Sequence, residues 1–275
     1  MIEEKDITFV ITSFKSRKTI FNCIKSIPNE INKIVVENSK DYELKLLLEK
    51  NYINLKCYIM ENNYGYGKAN NFGINKSKTK YVFILNPDAV LPEGFLKNFL
   101  KVLDNEFFSI AAPIEQNDNF NYQFNEKGIV NVKQVKGFAL LLNKNLIKNF
   151  FDENFFLYLE EIDLCRNVIN SGGQIILTNL KIFHLGGNSH GDRDDFEMEK
   201  SRNWHWMWSK FYFNKKYNGY FFSFIQTFPL FFSSFIKFIF YKLSNQNKKK
   251  TIYYMRMMGL FNSYMLKESF YRPYE

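Results

Sequence analysis

Up to residue 108, short apolar β-rich runs alternate with helical stretches of about ten residues, and no other feature narrows the fold as much. ITFVIT (7–12), KIVVE (33–37), LKCYIM (55–60) and YVFIL (81–85) read as strands. Residues 18–27 read as a helix ending at Pro28, and 42–50 as a helix capped by Asp41. The stretch ENNYGYGKANNFGI (61–74) is a Gly/Asn loop running into a helix, and another helix starts after Pro92. Alternation at this spacing predicts an α/β fold with a doubly wound, mostly parallel sheet. Asn86-Pro87-Asp88 halts the fourth strand, because proline ends ladder pairing and fixes the turn. A carboxylate on a rigid turn beyond a buried parallel strand sits where open α/β sheets bind ligands.

Beyond residue 108 the pattern changes. Residues 108–114 and GFALLLN (137–143) read as strands, with a polar stretch of hairpin character at 118–136. Residues 160–170 read as a helix ended by Gly172-Gly173, followed by QIILT and KIFH as two short strands. The Gly-rich, charged stretch HLGGNSHGDRDD (184–195) is a loop. It separates a first domain, 1–194 with halves at 1–115 and 116–194, from a C-terminal region at 195–275.

The net charge of +9 belongs to that C-terminal region. From Lys200 to Glu275 there are thirteen Lys/Arg and two acids, which leaves 24 basic and 26 acidic residues before position 200. The same tail holds 25 of the 51 aromatic residues. Three helices are expected in it, at about 195–214, 219–243 and 249–268. The middle one, GYFFSFIQTFPLFFSSFIKFIFYKL, is long enough to span a bilayer but carries Gln226, Pro229, three serines and Lys237, and Lys248-Lys249-Lys250 follow it. An in-plane interfacial helix fits better than a span, with aromatics at headgroup level and lysines on anionic lipid. The other reading is a helical subdomain packed on the first domain or on a second subunit, as in a homodimer. Nucleic-acid binding is disfavoured, because the basic residues lie among aromatics rather than on a polar groove face. Cys23, Cys57 and Cys165 form no paired framework, and the acidic start MIEEKDITFV lacks the basic, apolar character of a signal peptide. Both point to the cytoplasm, with the tail peripheral on the inner face of the membrane.

Four constellations can carry chemistry. The first is three strand-end loops: Thr12-Ser13-Phe14, Glu37-Asn38-Ser39, and the run from Asn63 through Gly65, Gly67 and Lys68 to Asn71. Phe14 can cover a base and Glu37 can accept hydrogen bonds from a base or ribose. The glycines allow close backbone approach, and the following helix N-terminus favours phosphate. The first turn has no glycine, so this is neither a dinucleotide fingerprint nor a phosphate loop. The second is Asn86 and Asp88, hard oxygen ligands that suit Mg²⁺ or Mn²⁺. The third is FFLYLEEIDLCRN (155–167), where Glu160, Glu161 and Asp163 stand near a helix start. They either serve the helix dipole or supply a general base whose pKa an apolar wall raises. The fourth is His184 ahead of Gly186-Gly187, a metal ligand or phosphate contact.

In this order VITSF, VVENS, NNYGYGKANNFGI, LNPDA, GFALLL, FFLYLEEIDLC and FHLGGNS resemble the inverting family 2 glycosyltransferases of the GT-A fold. The pattern is most similar to their bacterial rhamnosyltransferase-like branch, which builds surface polysaccharides. The resemblance covers about residues 7–190, and GLFNSYMLKESFYRP is similar to the C-terminal end of that branch. It implies a nucleotide-sugar half at 1–115 and an acceptor and catalytic-base half at 116–194. Glu37 stands where the family usually has a nucleoside-contacting Asp. Asn86 and Asp88 stand on the family's Asp-x-Asp motif, so metal holding falls mainly on Asp88, with His184 as the third ligand. Glu161 stands where the family has the Asp that is its catalytic base, with Asp163 as fallback.

The implied reaction is metal-assisted transfer of a sugar, rhamnose among the candidates, from a nucleotide-diphosphate sugar to a hydroxyl of a growing glycan or lipid-linked saccharide. A closing loop at 185–195 would exclude water. The alternatives are a catalytically silent, membrane-attached scaffold on the same fold, or a sugar nucleotidyltransferase. Nucleotidyltransferases usually carry a Gly-rich signature after the first strand, which VITSFKSRKT lacks.

Overall fold

The computed structural model describes residues 2–119, 121–185 and 195–274. The chain forms two compact units, Met1–Asp152 with Glu161–Arg193, and Glu153–Glu160 with Asp194–Glu275.

In the first unit β1 (Ile7–Ser13), β2 (Asn32–Glu37), β3 (Leu55–Ile59) and β4 (Tyr81–Leu85) pair in parallel, in the order β3-β2-β1-β4. The helices α1 (Ile20–Lys25), α2 (Tyr42–Asn51) and α3 (Gly65–Lys76) connect them, and α4 (Phe95–Val102) follows. The sheet continues through β8 (Ala139–Asn143), β6 (Ile110–Glu115), β9 (Ile175–His184) and β5 (Ala89–Val90), with β7 (Ile129–Asn131) alongside β9. β8 is antiparallel to β4 and β6, whereas β6 and β9 are parallel. This is the parallel-rich, doubly wound α/β sheet that the alternating pattern predicts.

The strands are apolar on both sides because helices cover both faces. Successive residues point to opposite faces, so Phe9 and Phe83 join the core under α1, α2 and α4. Val10 and Ile84 join the core under α3 and α5 (Glu160–Asn170). α3 sits unusually close to β1: a Cβ on Gly73 would lie 2.4 Å from Val10 Cγ1. Asp41 caps α2 by accepting from the Leu44 N–H at 2.9 Å, as its position predicts.

Two expectations need correction. QIILT and KIFH are one strand, β9, not two. Opposite Thr178 stands Pro113, and the register then jumps so that Ile114 faces Lys181. Asn179 and Leu180 are thus left out of the β6 ladder, which in sequence looks like a break. The stretch 118–136 makes no local hairpin among its described residues. Its strand β7 instead pairs antiparallel with β9, Ile129 opposite Thr178.

The second unit is built from α6 (Phe196–Asn218), α7 (Tyr220–Leu243) and α8 (Asn247–Tyr264). Met207, Phe211, Leu260 and Tyr264 form one apolar cluster, and Trp204, Trp208 and Met255 another. α8 crosses α6 at Gly259, where a Cβ would lie 2.3 Å from the Trp204 carbonyl oxygen. α7 turns Ser223, Thr227 and Ser234 inward, while Phe221, Phe228, Phe232 and Phe235 stay exposed. By length and composition α7 could cross a membrane, though little of it is buried.

Buried His205 ties the C-terminal segment to α6. Its Nε2 lies 2.8 Å from the Tyr271 carbonyl and its Nδ1 lies 3.0 Å from the Ser269 hydroxyl, and the ring stacks on Phe156. Burial pushes its pKa down to about 3. The unfolded chain therefore binds a proton below about pH 6.5 that the folded unit refuses, and each pH unit lost costs about 1.4 kcal/mol. All three tryptophans lie on α6, so their fluorescence reports on this unit. The thermal midpoint should fall between pH 7 and pH 4, and His205→Asn should show a flatter profile over that range.

Candidate functional site

β1, β2 and β3 end level with one another, Ser13 opposite Glu37 and Glu37 opposite Ile59. The loops beyond them are tied together. The Asn38 N–H donates to the Ser13 carbonyl at 2.8 Å, the Met60 N–H to Glu37 at 2.9 Å, and the Asn38 amide to the Gly65 carbonyl at 3.1 Å. Thr12 donates to Asn70 on α3 at 2.9 Å. Glu37 is fully buried, and its Oε1 accepts the N–H (2.5 Å) and hydroxyl of Ser39. Burial raises its pKa, while the Ser13 and Ser39 hydroxyls act in the opposite sense. Glu37 Oε2, Asn38 Oδ1 and Asn70 Nδ2 are buried with no hydrogen-bond partner. A buried polar group in that state is costly unless a ligand meets it.

The other loop residues divide. Phe14 is half-buried, with its N–H on Ser16 Oγ at 3.2 Å. Asn63 accepts from the Gly65 N–H at 3.1 Å, and Gly65 takes φ +78°, a conformation that favours glycine. Gly67 is buried in the first turn of α3, and the Lys68 ammonium stands 4.7 Å from the Tyr64 ring. Asn71 does not join this edge through its amide. It clamps the Phe151 backbone, donating to the carbonyl at 2.8 Å and accepting from the N–H at 3.0 Å.

The Asn86-Pro87-Asp88 turn is pinned on two sides. The Asn86 N–H donates to the Phe138 carbonyl at 2.8 Å, and β5 pairs with the end of β9, Ala89 opposite His184. Asp88 is buried, and its Oδ1 stands 3.5 Å from His184 Nε2. The Asn86 amide is 3.4 Å from the same nitrogen. His184 Nδ1 lies 3.1 Å from Glu115 Oε1, and the ring stacks on Phe138 at 4.7 Å. Burial by itself lowers the His184 pKa, but Asp88 and Glu115 outweigh it and hold the ring above its ordinary value. Glu115 also takes the Lys136 ammonium at 2.7 Å, which reaches Asp118 at 3.4 Å. Burial works to raise the Glu115 pKa, and Lys136 and His184 together bring it below the usual range.

Glu115, Asp118, Lys136 and Phe138 line a cleft of about 410 Å³, together with Tyr122 and Glu161. Glu161 is half-buried on the first turn of α5, close beside Gly137. Asp163, two residues on, is fully buried and accepts from the Asn167 amide at 3.1 Å. Residues 186–194, which include most of the expected closing loop, lie outside the described residues.

The sequence profile of the family described as "Glycosyl transferase family 2" matches residues 8–165, more than half of the chain. The chain belongs to this family. It is 26% identical over 199 residues to the low-salt glycan biosynthesis hexosyltransferase Agl10 of Haloferax volcanii, covering 61% of this chain and 64% of the relative. It is 24% identical over 216 residues to the rhamnosyltransferase WbbL of Escherichia coli K12, covering 64% and 80%. The chain thus spans just under two thirds of the length of Agl10 and four fifths of that of WbbL. The fold is shared with the mannosyltransferase PcManGT of Pyrobaculum calidifontis in complex with GDP-Man and Mn²⁺. That match has a TM-score of 0.61 at 12% identity and covers 96% of this chain and 88% of the other.

In this family 2 chain the residues around Asp88 fit a hard divalent cation. Ligands of one ion at about 2.1 Å stand about 3 Å apart, close to the Asp88–His184 separation. A ligating histidine also commonly donates its other nitrogen to a carboxylate, as Glu115 offers. No group of three His, Cys, Asp or Glu residues is spaced for a metal among the described residues. Sequence reasoning missed Glu115, Lys136, Asp118 and Asn70. For Glu115 a signal existed, because it is an acid ending a buried strand. Removing one carboxylate takes away part of what offsets burial at His184: in Asp88→Asn, the His184 pKa followed by imidazole NMR should fall below its wild-type value.

Proposed function

We propose that this chain transfers a sugar from a nucleotide-diphosphate sugar to a hydroxyl of a growing glycan or lipid-linked saccharide, with inversion. The observation that carries the reading is the contact of Asp88 with His184, made where β5 meets β9, next to a cleft lined by Glu161. Family membership supports the same chemistry. The nucleoside lies against Thr12, Ser13, Phe14, Glu37 and Asn38, where buried groups lack partners. Gly67 and Lys68, in the first turn of α3, bring a backbone N–H and a cation toward the phosphates, with Asn63 and Gly65 shaping the turn before them. Asp88 and His184 hold Mg²⁺ or Mn²⁺, which when bound supplies Lewis-acid neutralisation of the leaving diphosphate. Glu161 accepts the proton of the attacking hydroxyl. Its half-burial in the cleft favours it over Asp163, which is enclosed and held by Asn167. The donor sugar is a hexose or deoxyhexose, as the names of the two relatives suggest.

A screen of nucleotide sugars by thermal shift with Mn²⁺ tests the donor: one that stabilises the fold names base and sugar together. Asp88→Ala should abolish turnover and metal-dependent donor binding, and near-normal metal-free activity would refute the metal role. Glu161→Gln should lower kcat by about 10²-fold or more with donor affinity kept. The same behaviour in Asp163→Asn but not in Glu161→Gln would move the base to Asp163.

The exposed face of α7 favours peripheral attachment to the inner face of the membrane. Phe221, Ile225, Phe228, Phe232 and Phe235 recur at three- and four-residue steps, with Lys237 and Lys242 nearby. The wild type should sediment with vesicles containing phosphatidylglycerol, less so at high salt. Changing Phe221, Phe228, Phe232 and Phe235 to Ser should release it. Unchanged sedimentation of that variant would rule out α7 as the attachment surface.

A further inference from the structure

The geometry points to Glu115 as the residue that orients His184, by accepting its Nδ1–H, with Lys136 holding Glu115 in place. This rests on the reading of His184 as a metal ligand and extends it to residues outside the ligand set.

The arrangement begins with the register of β9. Before the slip Thr178 faces Pro113, and after it Ile182 faces Glu115. An unbroken register would put Leu180 opposite Glu115, with His184 four residues further along. The two extra residues bring His184 to within two positions of Glu115's partner, a shift of about 6.6 Å along the strand. A shift of two also keeps the strand's facing, so Ile182 and His184 share a side while Phe183 stays exposed. The register thus gives Glu115 a reach to the ring that the sequence separation does not suggest.

Each edge of the ring then has a neighbour. Phe138 stacks on its face with the planes 14° apart. Glu115 Oε1 meets Nδ1 at 3.1 Å. Asp88 and Asn86 meet Nε2. Glu115 does not choose its position alone, because Lys136 holds its other oxygen at 2.7 Å and Asp118 holds Lys136 in turn. Lys136 and Phe138, two residues apart, both line the cleft. A neutral imidazole binds a cation through the lone pair of its unprotonated nitrogen. With the proton on Nδ1 and shared with Glu115, that lone pair faces Asp88. With the proton on Nε2, His184 would present an N–H to the cation and could not bind it.

The test uses the ¹⁵N-labelled full chain. It contains three histidines, His184, His190 and His205, so single substitutions assign the imidazole signals. In metal-free protein, at a pH where the ring is neutral, His184 should carry its proton on Nδ1. Glu115→Ala should move the proton to Nε2 or give a mixture. Mn²⁺ affinity, read from the electron paramagnetic resonance of the free ion, should fall about 10- to 100-fold in Glu115→Ala. The loss should be smaller in Glu115→Gln, whose amide oxygen still accepts from Nδ1, and in Lys136→Met. An Nε2–H ring in the wild type, or unchanged Mn²⁺ affinity in Glu115→Ala, overturns the assignment. If Glu115→Ala fails to fold, the wild-type tautomer and Glu115→Gln decide. If the wild type binds no Mn²⁺, the metal reading fails, while the tautomer still decides the role of Glu115.

Discussion

A two-residue register slip between β6 and β9 determines how this site is assembled. Beyond Pro113 the parallel ladder between β6 and β9 resumes two residues out of step, with Asn179 and Leu180 as the extra residues of β9. Everything at the end of β9 depends on that slip. His184 comes opposite Ala89, which locks the short β5 onto β9 and closes the Asn86-Pro87-Asp88 turn from its open side. The same slip puts Glu115 within reach of the imidazole. A sheet edge that would otherwise end raggedly becomes a rigid corner with a buried carboxylate at its centre.

That corner is held by close contacts between polar and charged side chains as well as by apolar packing. Asp88, His184, Glu115, Lys136 and Asp118 form a chain of close contacts from the turn to the cleft. Removing such groups from water is expensive, and attraction between neighbours only partly offsets it. The arrangement makes sense if it serves chemistry more than stability. Glu115 and Lys136 keep part of their surface exposed and so carry less of that penalty, whereas Asp88 is fully enclosed. The apolar stack of Phe138 supplies the wall on which the polar groups are arranged.

Much of the fold was legible because its signals are local. Five-residue apolar runs, Asp41 ahead of a helix, and Pro87 behind a strand each act within a few residues of themselves. The Asp88 turn was visible as a candidate for the same reason. Glu115 was legible only as an acid ending a buried strand; its contact was not, because its partner His184 lies 69 residues away and the contact depends on a register slip that no propensity records. The slip also explains why β9 looked like two strands, since Asn179 and Leu180 pair with nothing on β6. Asn71 misleads in the opposite way: it lies in the right loop for a nucleotide contact, but its amide is spent on the Phe151 backbone. A pattern locates such a residue but does not show where its side chain is engaged.

The seat of α3 has a consequence for how the molecule can change. Gly73 lies so close to Val10 that even a methyl group there forces the helix outward, and the Asn71 clamp holds the same helix from its other side. The helix is thus packed against β1 on one side and tied to the Phe151 backbone on the other. If the loops beyond β1, β2 and β3 hold the donor as proposed, variation in which donor is accepted would come more readily from side chains on those loops than from a shift of this helix. Libraries built on Phe14, Asn38 and the 61–64 segment would explore that freedom, whereas changes at the α3–β1 contact would disturb folding before they altered selectivity.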